Sequence, residues 1–276
     1  LNPGRITRSD DKTMDLGLRG RVAVVMGGST GLGRAIALEL AGEGMRVAVV
    51  ARDEARLRAA AEEISAETGS EVLPIAADAT HPDAADRVVA ETVRRWGAVH
   101  VAMANAGGPP STTFETTTAE QVAQALELNL MSAVRLALAA VPHMKEQRWG
   151  RFVALTSMTV KQPMPGLILS NTSRPGVVGF VKSMATELAP FGITCNVVAP
   201  GFFRTARTEE LARSRAGRED RPVEEVSRDT AARIPALRMG EPEELAALVA
   251  FLASERAGYL TGATIQVDGG YTQGLL

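Results

Sequence analysis

Between Arg21 and Leu40 an unbroken apolar run, Val22 to Met26, gives way to Gly27-Gly28-Ser29-Thr30-Gly31-Leu32-Gly33 and then to Arg34-Ala35-Ile36-Ala37-Leu38-Glu39-Leu40. A Val-rich run without polar alternation predicts a strand buried on both faces, as in a parallel sheet. The residues after Gly33 are helix formers with apolar positions about a turn apart. Four glycines in seven residues join the two. Gly27, Gly31 and Gly33 let the backbone turn sharply and let a ligand come close, because none carries a Cβ. Unpaired N–H groups at the start of the next helix then offer an anion site. A glycine-rich turn alone also closes ordinary strand-to-helix junctions. Here a second strand, Arg46 to Ala51, follows at the distance a βαβ unit needs and ends beside Arg52, and that context points to dinucleotide binding.

The rest of the chain repeats this alternation. Helices are predicted over 53–68, 83–97, 119–147, 174–189 and 243–253, and strands over 72–76, 99–104, 151–156, 193–198 and 263–267. Such alternation calls for a doubly wound α/β fold, a parallel sheet of about seven strands with helices on both faces. Its ligands sit beyond the carboxyl ends of the strands. Gly27, Arg52, Asp78, Asn105, Ser157 and Pro200 all fall at such ends. Residues 1–17 are polar and aperiodic, which predicts a flexible extension ahead of a single domain over 18–276; Met14 is a candidate natural start. The span from Phe202 to Met239 reads as charged and irregular, with nine arginines and seven acidic residues.

At 276 residues the chain is long enough for one large core. A net charge of −2 gives no electrostatic case for nucleic acid. The lone cysteine, Cys195, rules out an intrachain disulfide and fits a reducing compartment. No apolar run approaches the ~18 residues of a membrane span, the best being Leu245 to Ala253, and the N-terminus lacks a signal-peptide core. These features predict a cytoplasmic protein without a membrane partner. His81, His100 and His143 are scattered and suggest no metal site.

With these residues in view, the sequence from about Leu18 onward resembles the short-chain dehydrogenase/reductase family, in its 3-oxoacyl-carrier-protein-reductase-like branch. Gly27-x3-Gly31-x-Gly33 is similar to its phosphate loop, Asn105-Ala106-Gly107 to its Asn-Ala-Gly turn, and Asp78 to its acidic residue near the adenine. Asn129, Ser157, Pro200-Gly201 and Thr205 fall where the family places catalytic and nicotinamide-side groups, and the chain closes on a similar Asp268-Gly269-Gly270. The resemblance therefore implies a Rossmann-fold oxidoreductase with cofactor contacts at Gly27, Ser29, Thr30, Leu32, Gly33, Arg52, Asp78, Ala79, Asn105, Ala106, Gly107, Arg174, Pro200, Gly201 and Thr205. It also implies a homodimer or homotetramer, since faces such as those of 119–147 and 174–189 pack between subunits in this family. The segment 202–239 lies where the family closes over the nicotinamide, so it reads either as a solvated, salt-bridged helical flap or as a substrate lid.

Three positions depart from the family. Its members carry Tyr-x-x-x-Lys about thirteen residues after the serine; counting on from Ser157 gives Ser170 and Arg174. Met26 also stands where a threonine is usual. Hydride transfer to a carbonyl leaves an alkoxide that must be protonated as it forms, and a phenol beside an ammonium suits that task near neutrality. An aliphatic hydroxyl such as that of Ser170 is a far weaker acid on a shorter arm. Arg174 can hold ribose hydroxyls and supply charge but stays protonated. Ser157 and Asn129 can polarise a carbonyl and order water. Three accounts stay open. Reduction uses a substitute acid, either a water held by Ser157 and Asn129 or Lys161; or hydride goes to an activated double bond; or the protein binds nucleotide without turning it over.

Some residues also have plainer readings. Asn129 inside an apolar helix needs a partner for its amide, which predicts a bond to backbone across the core. Asp78 reads as a helix-initiating cap or as a cofactor contact. Arg52 stands where an NAD enzyme places the acid that accepts from the ribose 2′-hydroxyl, and an arginine there accommodates a 2′-phosphate. This favours NADP(H), while the neighbouring Asp53 leaves NAD(H) open. A small molecule or an acyl thioester is the substrate class implied.

Overall fold

The computed structural model describes residues 14–275. Its strands are β1 (Val22–Met26), β2 (Arg46–Ala51), β3 (Val72–Ala76), β4 (Val101–Ala104), β5 (Gly150–Leu155), β6 (Ile193–Pro200) and β7 (Thr264–Val267). Its helices are α1 (Gly31–Gly42), α2 (Glu54–Thr68), α3 (Ala84–Trp96), α4 (Ala119–Leu126), α5 (Ser132–Glu146), α6 (Ile168–Leu188), α7 (Ala206–Glu219), α8 (Val223–Ala232) and α9 (Pro242–Ala253). The strands form one parallel sheet in the order β3-β2-β1-β4-β5-β6-β7. Every residue of β1 and β4 is buried, as the unbroken apolar runs require of strands covered on both faces. On one face α1, α2 and α9 bury Ile36, Leu40, Leu57, Ile64, Leu245 and Val249. On the other, α3, α5 and α6 bury Val88, Leu136, Met144, Val177 and Val181 around Phe152.

Local chemistry sets the boundaries. Asp53 caps α2 by accepting from the Arg56 N–H at 3.0 Å, and Gly69 ends the helix at φ +73°. Gly97 ends α3 in the same left-handed conformation, at φ +78°. Strand order reverses between β1 and β4, because the chain leaves β3 at one side and returns on the far side of β1. A crevice opens at that switch point, outside the carboxyl ends of the strands.

Four expectations change. The helix assigned to 174–189 begins instead at Ile168, six residues earlier. Arg174-Pro175 resembles a helix start, but Asn171 anchors the preceding turn by accepting from the Met164 N–H at 3.1 Å and donating to the Met164 carbonyl at 3.0 Å. Pro175 is carried inside the helix at the loss of one main-chain donor. The second change lies in 202–239, where the irregular reading gives way to its alternative, a salt-bridged helical flap, made of α7 and α8. Thr205 caps α7, ion pairs such as Arg215–Glu219 (2.6 Å) and Arg221–Asp229 (2.7 Å) lace the two helices, and Ala212, Ala216 and Val226 form a small core of their own. Third, the extension expected over 1–17 lies outside the described residues as far as 13, and its end is attached rather than flexible. The Leu16 carbonyl accepts from Glu255 N–H at 3.0 Å, and Leu18 is buried.

The fourth concerns apolar length. Helix α4 runs through a π turn, Glu127–Met131, into α5, giving one helical stretch over Ala119–Glu146. An 18-residue window of it has a mean hydropathy of 1.4, long and apolar enough to cross a membrane by composition alone. The expectation rested on uninterrupted apolar runs, and this helix is interrupted. Its Leu136, Ala140 and Met144 pack into the sheet.

At the opposite edge from the crevice, His100 Nδ1 accepts from the Val22 N–H at 3.0 Å. Burial, then the nearby Arg21 and Arg46, push its pKa down to about 4 from 6.5. The unfolded chain therefore binds a proton below about pH 6.5 that the native chain refuses until about pH 4, so stability falls as pH drops through that window. His100→Gln, whose carbonyl can accept the same bond, should flatten this loss, read as the shift in urea midpoint between about pH 7 and pH 4.5.

Candidate active site

The turn leaving β1 is held by backbone geometry that side chains would break. Gly27 and Gly31 lie at φ +64° and +55°, and a Cβ on Gly33 would stand 2.1 Å from the Gly27 carbonyl oxygen. Asn105, just after β4, donates from Nδ2 to the Met26 carbonyl at 3.0 Å, so the two strand ends flanking the switch point are tied together. The α1 N-terminus is left open. The Thr30 hydroxyl makes no cap bond and no acidic residue lies in the first turn, so the helix presents N–H groups and its positive end to the crevice. Met26, in place of the family's threonine, is buried in the core beneath the loop.

The crevice is a cleft of ≈ 700 Å³ that runs from this loop in two directions. Toward the β2 and β3 ends it is lined by Arg52, Arg56, Asp78 and Ala79. The exposed Arg52 guanidinium lies 4.0 Å from Asp78 Oδ2. Asp78 Oδ1 accepts from the Thr80 N–H at 2.9 Å and the Thr80 hydroxyl at 2.8 Å, and the backbone bond above all holds its carboxyl below the usual range. The residue thus fixes its own turn and borders the cleft as well. Asp53 is occupied by its cap and by Arg56, 3.4 Å away.

In the other direction stand Ser157, Ser170 and Arg174. Ser157 Oγ, at the end of β5, accepts from the Thr159 N–H at 3.2 Å, which leaves its own proton to donate. Because α6 starts at Ile168, Ser170 and Arg174 lie one turn apart on one helix face. Arg174 donates from Nε to Ser170 Oγ at 3.2 Å and from Nη1 to the Thr156 carbonyl at 2.7 Å. It is 8% exposed and, among the described residues, has no carboxylate partner. Burial, then the charge of Arg207, lowers its pKa to about 10, which still leaves it cationic near neutrality.

Of the residues singled out from the sequence, Ser29, Leu32, Ala106, Gly107, Pro200, Gly201 and Thr205 also line this cleft; Asn129 does not. It sits buried in the π turn behind it, donating from Nδ2 to the Gly107 carbonyl at 3.2 Å and accepting from the Ser173 hydroxyl at 2.9 Å. Lys161 and both tyrosines do not line the cleft, and Tyr271 packs edge-on against Phe202, which does. Sequence reasoning missed Arg207, whose Nη2 reaches across from α7 to the Pro109 carbonyl at 2.5 Å while Nη1 pairs with Glu210 at 3.0 Å. Its position two residues after Thr205 was the available signal. It also missed Thr159, whose hydroxyl lies 3.1 Å from Ser170 Oγ, and nothing in the sequence marks that contact.

Residues 27–272 match a family model described as enoyl-(acyl carrier protein) reductase. The chain is 35% identical over 255 residues to 3-oxoacyl-[acyl-carrier-protein] reductase FabG of Vibrio cholerae serotype O1, covering 92% of this chain and 98% of that one. It is also 35% identical over 249 residues to the short-chain reductase protein NovJ of Streptomyces niveus, covering 90% and 93%. Among solved structures, L-sorbose reductase from Gluconobacter frateurii complexed with NADPH and L-sorbose superposes with a TM-score of 0.90 at 33% identity, over 95% of this chain and all of the other. A variant of actinorhodin polyketide ketoreductase with NADPH gives 0.89 at 32% identity, over 92% and 98%.

The Asn129 side chain joins three elements, and removing it leaves the Gly107 carbonyl to solvent and the Ser173 hydroxyl to the Leu169 carbonyl, so the loss is that of the link and of the space the side chain fills. Asn129→Ala should lower unfolding free energy by roughly 1–3 kcal/mol in chemical denaturation.

Proposed function

This chain belongs to the short-chain dehydrogenase/reductase family, in its 3-oxoacyl-carrier-protein-reductase-like branch of NAD(P)-dependent oxidoreductases, and we propose that it reduces a ketone on a small molecule or acyl thioester with NADPH, using a proton donor other than a tyrosine phenol. The observation that carries this reading is the convergence, in one cleft, of an open helix N-terminus, an arginine at the β2 end and a serine hydroxyl with a proton to give.

The residues present fit a dinucleotide. The glycines let the loop fold tightly against Asn105 and itself, and the unpaired N–H groups of Gly31, Leu32 and Gly33 are left for a pyrophosphate, with Ser29 and Thr30 alongside. Arg52 meets a 2′-phosphate, while the Asp53 carboxylate is turned to the α2 cap and to Arg56. Asp78 and Ala79 flank the adenine. Asn105, Ala106, Gly107 and Arg174 flank the nicotinamide ribose, and Pro200, Gly201 and Thr205 the nicotinamide itself. When bound, the cofactor supplies a hydride. Ser157 donates to the carbonyl oxygen being reduced, and the Arg174 charge favours negative charge developing there. NADPH accompanies both solved relatives named above, which supports the same cofactor here.

The segment 202–239 acts as a lid. Phe203 and Ile234 anchor its two ends in buried positions, and Arg207 spans the cleft mouth to the Pro109 loop. The protein works in the cytoplasm as a homodimer or homotetramer. Exposed apolar residues on the α4–α5 stretch, Leu138 among them, form the subunit contact together with α6. The missing phenol favours one second reading, a subunit that binds NADPH without turning it over.

Calorimetric titration with NADPH and, separately, NADH should show micromolar binding of NADPH and much weaker binding of NADH. Arg52→Ala should weaken NADPH about tenfold or more and leave NADH unchanged, the loss of one charge-assisted contact to phosphate. Consumption of NADPH with a panel of ketones separates reductase from binder. Sedimentation at micromolar concentration should show a dimer or tetramer, and a monomer there refutes the subunit contact.

A further inference from the structure

Thr159 and Ser170 share a hydrogen bond whose direction follows from what surrounds them. Thr159 is 4% exposed, and among the described residues its hydroxyl has one partner, Ser170 Oγ at 3.1 Å. A buried hydroxyl must place its proton on an acceptor, so Thr159 donates to Ser170. Arg174 Nε also donates to Ser170 Oγ, at 3.2 Å. Both lone pairs of Ser170 are then used. Its own proton has no internal acceptor either. Thr172 and Ser173 bond back to the carbonyls four residues earlier, at 2.8 Å each, whereas Ser170, in the first turn of α6, has no such bond. Ser170 lines the cleft beside Ser157 and Arg174, so the proton is directed into it.

We infer that Ser170 is the proton donor of this site, with Thr159 as the positioning residue that aims its hydroxyl into the cleft and, with Arg174, stabilises the alkoxide it leaves. This rests on the ketoreductase reading above and names the group that takes over from the missing phenol. Two donors on one oxygen, one of them cationic, oppose the weakness of an aliphatic hydroxyl as an acid in the way an oxyanion hole does. The short arm is met by one water between Ser170 and the substrate, a reach that general acid catalysis tolerates. As hydride from the reduced nicotinamide forms the new C–H bond, the C=O π pair moves onto oxygen. That oxygen takes a proton from the water, the water takes one from Ser170, and solvent at the cleft mouth restores Ser170.

The hydrogen-bond arrangement is testable without cofactor. Ser170→Cys places a titratable thiol at the same point. The only native cysteine, Cys195, is buried with its thiol pushed up to about 12, so alkylation by iodoacetamide reads the introduced group. Adding Thr159→Val, or Thr159→Ala should the valine variant not fold, is expected to raise the thiol pKa by about one unit or more, and adding Thr159→Ser to leave it in place. The same pKa with and without the Thr159 hydroxyl overturns the proposal. In the otherwise native chain, Thr159→Val should lower kcat for NADPH-dependent reduction of acetoacetyl-coenzyme A about tenfold, with NADPH affinity unchanged and kcat restored by Thr159→Ser. An unchanged kcat in the valine variant overturns this proposal alone. A native chain that binds NADPH and reduces no ketone overturns the reductase reading, and the proton donation with it.

Discussion

The carboxyl ends of β1 and β4 are tied by one side chain, Asn105, whose amide donates to the Met26 carbonyl. Those two strands flank the point where strand order reverses, so the contact closes the floor of the only place where a parallel sheet of this topology opens a crevice. The glycine loop is packed against the same amide, with no room for a Cβ at Gly27 or Gly33. From this junction the open N-terminus of α1 lies on one side and the Ser157 end of β5 on the other. Loosening it would disturb both halves of the site together.

Arg174 shows how a buried charge is accommodated without a counter-ion. The carbonyls of Leu155 and Thr156, at the end of β5, accept from Nη1, and Ser170 accepts from Nε. The helix that carries the guanidinium is thereby fixed against the strand that delivers Ser157. A lysine in that place would present a point charge on a flexible stem; the planar arginine fixes directions as well as charge. Its proton is not available for relay, so in the proposed reduction proton transfer falls to hydroxyl groups, and the direction of each hydroxyl becomes a matter of counting donors and acceptors.

Asn129 and Arg207 act at a distance from the same centre. Asn129 uses its amide in both directions, to the Gly107 carbonyl and from Ser173, and so couples the β4 turn to α6 from behind. The π turn that carries it adds one residue per turn to an otherwise α-helical stretch and so turns that side chain inward. Arg207 couples the same β4 turn to α7 from in front, through the Pro109 carbonyl. The loop over residues 105–110 is therefore held on both sides by polar side chains from helices far away in sequence.

Hydrophobic periodicity and turn chemistry are local, and they were enough to read the seven strands, the glycine loop and the strand-end placement of Arg52, Asp78, Asn105 and Ser157. The loss of the phenol was equally legible, since a count from Ser157 lands on Ser170. The start of α6 was not, because Arg174-Pro175 carries a helix-start signal that the anchoring of Asn171 on Met164 overrides. The salt-bridged helical reading of 202–239 was open from the sequence, but the link from α7 to α8 through Arg221, between Glu219 and Asp229, needs the two helices already in place. By itself the sequence determined which strands form, that they run parallel and that a dinucleotide-type crevice lies at their ends, because burial of unbroken apolar runs and glycine backbone freedom act within a few residues. Only the tertiary structure decided that Thr159 meets Ser170, that Arg174 is buried against β5 and that Arg207 crosses the cleft. A hydrogen bond between side chains eleven or more positions apart depends on a distance of about 3 Å, and packing alone sets that distance.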